Sequence, residues 1–76
     1  MTDFKLLQEF RERKDFSQEE LAHKLGYKSK GSYSLIESGK TKISIDLANK
    51  LVTILELNSS EILTLFFNIK VPETQT

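Results

Sequence analysis

Ser17-Gln18-Glu19-Glu20-Leu21-Ala22-His23-Lys24-Leu25-Gly26 is the stretch whose reading decides the fold. Ser17 and Glu20 stand three apart just before an apolar pair, the pattern of a capping box. In it the serine hydroxyl accepts from the Glu20 backbone N–H, and the Glu20 carboxylate accepts from the Ser17 backbone N–H. Phe16 before the cap and Leu21 at the fourth helical position form a hydrophobic staple. Gly26 falls where a helix end wants a residue of positive φ. A short helix over about 18–25, marked at both ends, is expected.

Helical spacing continues in both directions. Upstream, Phe4, Leu6, Leu7 and Phe10 recur three or four apart with polar residues between them, giving a helix over about 3–14, and Asp15 and Phe16 make the connection. Downstream, Ser29 is placed to cap a helix over about 30–38, with Tyr33 and Ile36 inward and Gly39 as its stop. Ser44 caps a fourth helix over about 45–56, with Asp46 near its positive end. Leu47, Ala48, Leu51, Val52, Ile54 and Leu55 supply its apolar face. Asn58 and Glu61 form another capping box, opening a fifth helix over about 59–67. Nothing reads as a strand. The expected class is all-α: one domain of five short helices over 1–70, with a polar, flexible tail over 71–76.

A chain of 76 residues has room for one small core. A domain of this size buries only about 60% of the surface its unfolded chain exposes, so it needs a staple, a metal, tight helix packing or a partner. The absence of cysteine excludes disulfides and thiolate metal sites, and His23, the one histidine, reads as a surface residue. No metal, no cofactor and no catalytic constellation are expected, so the chain does not read as an enzyme. No apolar run is long enough to span a bilayer, and the N-terminus lacks the pattern of a signal peptide. A cytoplasmic protein with no membrane association is expected. Eleven basic and eleven acidic residues balance to zero net charge. They are nevertheless segregated along the chain: Lys28, Lys30, Lys40 and Lys42 lie between Gly26 and Lys42 with Glu37 as the only acid.

The second and third helices, joined by a few residues around a glycine, have helix-turn-helix spacing. The run Ser17 to Gly26, followed by Tyr33-Ser34-Leu35-Ile36-Glu37-Ser38-Gly39-Lys40, resembles the lambda-type repressor and Cro family, also called the Xre family. The likeness extends over roughly residues 3–67. Three features depart from the family pattern. Tyr33 replaces the usual isoleucine, one extra residue follows Gly26, and Gly31, Ser32, Ser34 and Leu35 make a small, uncharged reading set.

The resemblance implies a lambda-repressor-like bundle that binds double-stranded DNA as a transcriptional regulator, with its third helix in the major groove. Lys30, Gly31, Ser32, Ser34 and Leu35 would then face base edges. Lys30 suits guanine O6 and N7, the serines suit a base or a phosphate, and Leu35 suits a thymine methyl. Gly31 has two readings: close backbone approach to DNA, or a helix that starts one residue later. Gln18, Lys28, Lys40 and Lys42 would contact phosphates. The resemblance also implies a partly buried ion pair between Arg11 and Glu37 that ties the first helix to the third.

The fifth helix carries more apolar residues than one face needs. Leu65, Phe66, Phe67 and Ile69 are therefore expected at a homodimer interface, with covering of the core between the first and fourth helices as the other reading. A two-fold dimer would set its reading helices about 34–36 Å apart. The small size fits a phage or plasmid regulator, an antitoxin or a restriction-modification controller. A different class remains open: a protein-interaction module of the same fold that binds a repressor or another protein through its third helix. Neutral net charge, the plain reading set and Leu35 favour it.

Overall fold

The computed structural model describes residues 1–70, and the tail expected over 71–76 lies outside them. Five helices follow in order: α1 Phe4–Arg13, α2 Gln18–Lys24, α3 Lys30–Glu37, α4 Ile45–Leu55 and α5 Ser59–Phe67, with no strand among the described residues.

Side-chain caps start four of them. Asp3 Oδ1 accepts from Leu6 N–H at 3.1 Å, and Ser44 Oγ from Leu47 N–H at 3.1 Å. Ser17 with Glu20 and Asn58 with Glu61 form complete capping boxes. The exception is α3. Ser29 occupies its N-cap position with extended backbone but makes no side-chain cap bond, contrary to the expectation that it would cap.

The helix ends share one device. After α2, Gly26 adopts φ +93°, its N–H donates to the His23 carbonyl, and the Tyr27 N–H donates to the Ala22 carbonyl at 2.9 Å. This six-to-one closure satisfies the last carbonyls and turns the chain sharply. Gly39 does the same for α3 at φ +82°, with the Lys40 N–H on the Leu35 carbonyl. Asp15, Glu56 and Asn68 fill the left-handed position after α1, α4 and α5. Each of the first four helices therefore stops a residue short of its expected end, because the residue read as the last helical one lies in the turn that closes the helix.

The core draws on every helix: Leu7 and Phe10 from α1, Leu21 and Ala22 from α2, Tyr33 and Ile36 from α3, Leu47, Leu51 and Leu55 from α4, Leu65 from α5. Leu25 and Leu57 add to it from the connections. Each fully buried large side chain contributes about 1.5–3 kcal/mol relative to exposure. Leu65, expected at a dimer interface, is instead fully enclosed. It lies on the inward side of α5, one turn after Glu61, and its carbonyl accepts the Asp3 N–H at 2.8 Å. A second chain cannot reach it. Phe66 packs partly against the core, while Phe67 and Ile69 remain exposed. No helix among the described residues is long and apolar enough to cross a membrane.

Candidate nucleic-acid interface

α2 and α3 pack closely, joined by the turn at Gly26 and the residues Tyr27 to Ser29. Tyr33 and Ile36, fully buried, fix which face of α3 looks inward. The opposite face carries Lys30, Gly31 and Leu35, all exposed, with Ser32 and Ser34 half-buried beside them. The five residues expected to read bases thus share one helix but not one degree of access: three stand open and the two serines are partly covered.

Lys28, Lys30, Lys40 and Lys42 are exposed, and among the described residues none of them has a carboxylate partner. Lys14 and Lys50, elsewhere on the molecule, are paired with Glu56 and Asp46. The one acid among the lysines, Glu37, turns inward with its side chain 7% exposed. Arg11, itself 8% exposed, meets it with two hydrogen bonds, Nε to Oε2 at 2.9 Å and Nη2 to Oε1 at 3.1 Å. Between residues 28 and 42 the outward-facing charges are therefore all lysines.

Arg11 also donates from Nη1 to the Phe16 carbonyl at 2.7 Å, which holds the α1–α2 connection. Gln18 joins the same cluster, its Nε2 donating to Glu37 Oε1 at 3.0 Å. The resemblance places Gln18 on a phosphate. Here its amide nitrogen is anchored to α3, which leaves one amide hydrogen for an outside acceptor. Burial alone would raise the Glu37 carboxyl, but the hydrogen bonds from Arg11 and Gln18, with the Tyr33 hydroxyl close by, outweigh it and hold it below the usual value. Burial pushes the Tyr33 phenol far above its ordinary value, and the adjacent Glu37 carboxylate adds to that. The Tyr33 hydroxyl makes no well-formed hydrogen bond, so a polar atom is left unsatisfied in the core.

Gly31 lies inside α3, which begins at Lys30, so the reading in which the helix starts after it does not hold. A Cβ there would meet only Ser29 Oγ, at 3.8 Å. The fold has room for a side chain at this point.

One surface escaped sequence reasoning. Ile43, Ile45, Ala48 and Val52 face Ile62 and Phe66 across a groove of about 410 Å³ between α4 and α5. Its signal was present: Ile45, Ala48 and Val52 form a second apolar stripe on α4, offset from the Leu47–Leu51–Leu55 stripe that fills the core. The Gln18–Glu37 bond left no comparable signal, since it joins residues 19 apart in the chain.

No curated protein and no solved structure matches the chain. The family model described as helix-turn-helix matches it over residues 7–62, from the middle of α1 into α5. With its α2–α3 unit, its inward Arg11–Glu37 pair and its open lysine face, the chain belongs to the lambda/Xre-type helix-turn-helix family of DNA-binding regulators.

Proposed function

We propose that this helix-turn-helix protein is a sequence-specific transcriptional regulator of the Cro/repressor type, acting as a two-fold dimer. Each α3 enters the major groove of one half-site and controls transcription by occluding or recruiting polymerase. The observation that carries the reading is the exposed face of α3 from Lys30 to Leu35, flanked in the chain by the exposed Lys28, Lys40 and Lys42, none of which is in an ion pair among the described residues. In this reading Lys30 reads a guanine, Gly31 brings backbone close to DNA, and Ser32, Ser34 and Leu35 complete the contact. Gln18 and the other three lysines hold phosphates, and Phe66, Phe67 and Ile69 belong to the dimer contact.

Selection of bound duplexes from a random pool, followed by titration at several salt concentrations, tests this. A two-fold symmetric site is expected. Lys40→Ala and Lys42→Ala should each flatten the slope of log affinity against log salt by about 0.9 for every phosphate no longer neutralised, and weaken all sequences alike. Lys30→Ala should relax selectivity at one base position. Leu35, 48% exposed on the same face, favours the second reading, a protein-binding module. No duplex bound at tens of micromolar protein in low salt would overturn the first reading in favour of that one.

A further inference from the structure

We infer that Glu37 is a positioning residue for DNA binding: its carboxylate fixes the Gln18 amide nitrogen-inward, so that Gln18 meets a backbone phosphate with its side chain already set. The inference rests on the DNA-binding reading above and says how one of its contacts is aimed.

The bonds at Glu37 divide unequally between its two oxygens. Oε2 accepts from Arg11 Nε, while Oε1 accepts from both Arg11 Nη2 at 3.1 Å and Gln18 Nε2 at 3.0 Å. An ionised carboxylate can only accept, so only the nitrogen end of the Gln18 amide can face it. A flipped amide would set its carbonyl against Oε1, two acceptors with no hydrogen between them. The carboxylate itself cannot turn away, because the planar guanidinium grips both of its oxygens and is tied in turn to the Phe16 carbonyl.

Gln18 is the member of this cluster that reaches outward. Arg11 and Glu37 have side chains 9% and 7% exposed, whereas Gln18 is half-buried at the first position of α2. Its Nε2 spends one hydrogen on Glu37 and keeps the other, which has no acceptor among the described residues. Beside it, Ser17 and Glu20 are committed to each other's backbone N–H, so neither side chain competes for an outside group. Glutamine is among the side chains that lose most rotamer freedom when fixed, and here the fold has fixed it before any ligand arrives. The exposed lysines supply charge; Gln18 supplies a neutral, directional bond. Glu37 thus links the α1–α3 pair to the contact made by α2.

The test uses the duplex recovered by selection, made as a set of copies that each carry one methylphosphonate in place of a phosphate. Parent, Gln18→Met, the double replacement Arg11→Met with Glu37→Met, and the triple variant are titrated against the set. The double replacement puts an apolar pair where the buried ion pair was, which commonly leaves stability unchanged or raised, and circular dichroism checks that it folds. Gln18→Met should weaken binding about tenfold with an unchanged salt slope, since a neutral donor displaces no counterion. The folded double replacement should lose a similar factor, and adding Gln18→Met to it should cost nothing more. One methylphosphonate in each half-site should weaken the parent and leave these variants unaffected, a selectivity that general loosening of the fold would not produce. In the nitrogen-15 spectrum of the free parent, a Gln18 side-chain amide hydrogen should move as Glu37 is titrated with acid. Amide hydrogens that stay still overturn the proposal, whatever the double replacement does. So do a Gln18→Met protein that binds like the parent and a folded double replacement in which Gln18→Met still costs its full factor, and these leave the DNA-binding reading standing. A parent that binds no duplex overturns that reading, and this proposal with it.

Discussion

Gly31 and Gly39 are eight residues apart and have opposite reasons for being glycine. At Gly39 the backbone φ is +82°, and an added Cβ would come within 3.0 Å of the Phe4 ring, so the fold itself demands it. At Gly31 the backbone is helical and the space is open. Replacing Gly31 by alanine should therefore stabilise the protein by up to about 1 kcal/mol, through better helix propensity and a less flexible unfolded chain. The same change should weaken duplex binding if the α3 backbone lies against a base edge. Urea unfolding and duplex titration of the one variant check both, and higher stability with unchanged affinity would remove Gly31 from the interface. Gly26 and Gly39 are legible in the sequence because a stop signal is local. The space around Gly31 is set by neighbours, and no sequence pattern reports it. The expectation for Leu65 fails for a related reason: Ile62, Leu63, Leu65, Phe66 and Phe67 make α5 apolar on nearly every side, so its inward face cannot be told from its periodicity.

Three elements meet at one carboxylate. Glu37 of α3 is held by Arg11 of α1 and Gln18 of α2, and Arg11 reaches on to the carbonyl of Phe16. Removing one partner of such a pair leaves the other charge buried and unpaired, at a cost of about 3–5 kcal/mol. In a domain of this size each kilocalorie lowers the melting temperature by roughly 4–8 °C. Glu37→Ala should thus melt well over ten degrees below the parent by circular dichroism, and a melt unchanged within a degree would show that the pair contributes nothing. Tyr33→Phe removes the unsatisfied hydroxyl from the same cluster and should be neutral or slightly stabilising. The helices themselves are legible, because capping boxes and left-handed stops are written in four- to six-residue patterns. Of this cluster, Arg11 and Glu37 can be paired only through the family resemblance, and Gln18 reads as outward, because a hydrogen bond across helices has no sequence period.

For the whole molecule, net neutrality hides a set of carboxylates that the fold holds in fixed hydrogen bonds. Glu37, Glu20 and Glu61 are all held below the ordinary value of 4.5: Glu37 by hydrogen bonds that overcome its burial, Glu20 by the Ser17 cap, Glu61 by Arg13. A carboxylate whose folded value is depressed stabilises the fold above its unfolded value, and that contribution is lost as pH falls through the folded value. The melting temperature should be level from neutrality down to about pH 5 and then fall steadily toward about pH 3. Glu37→Gln should flatten that fall, and a parent protein equally stable at both ends would contradict it. Arg11 carries one more consequence. It lies outside the bihelical unit, and α2 and α3 have only seven and eight residues, well short of the roughly 12–15 at which an isolated helix holds in water. The α2–α3 pair is therefore not portable as a two-helix peptide. Whoever transplants it must carry at least α1 along, because one guanidinium ties α1 to both helices of the pair.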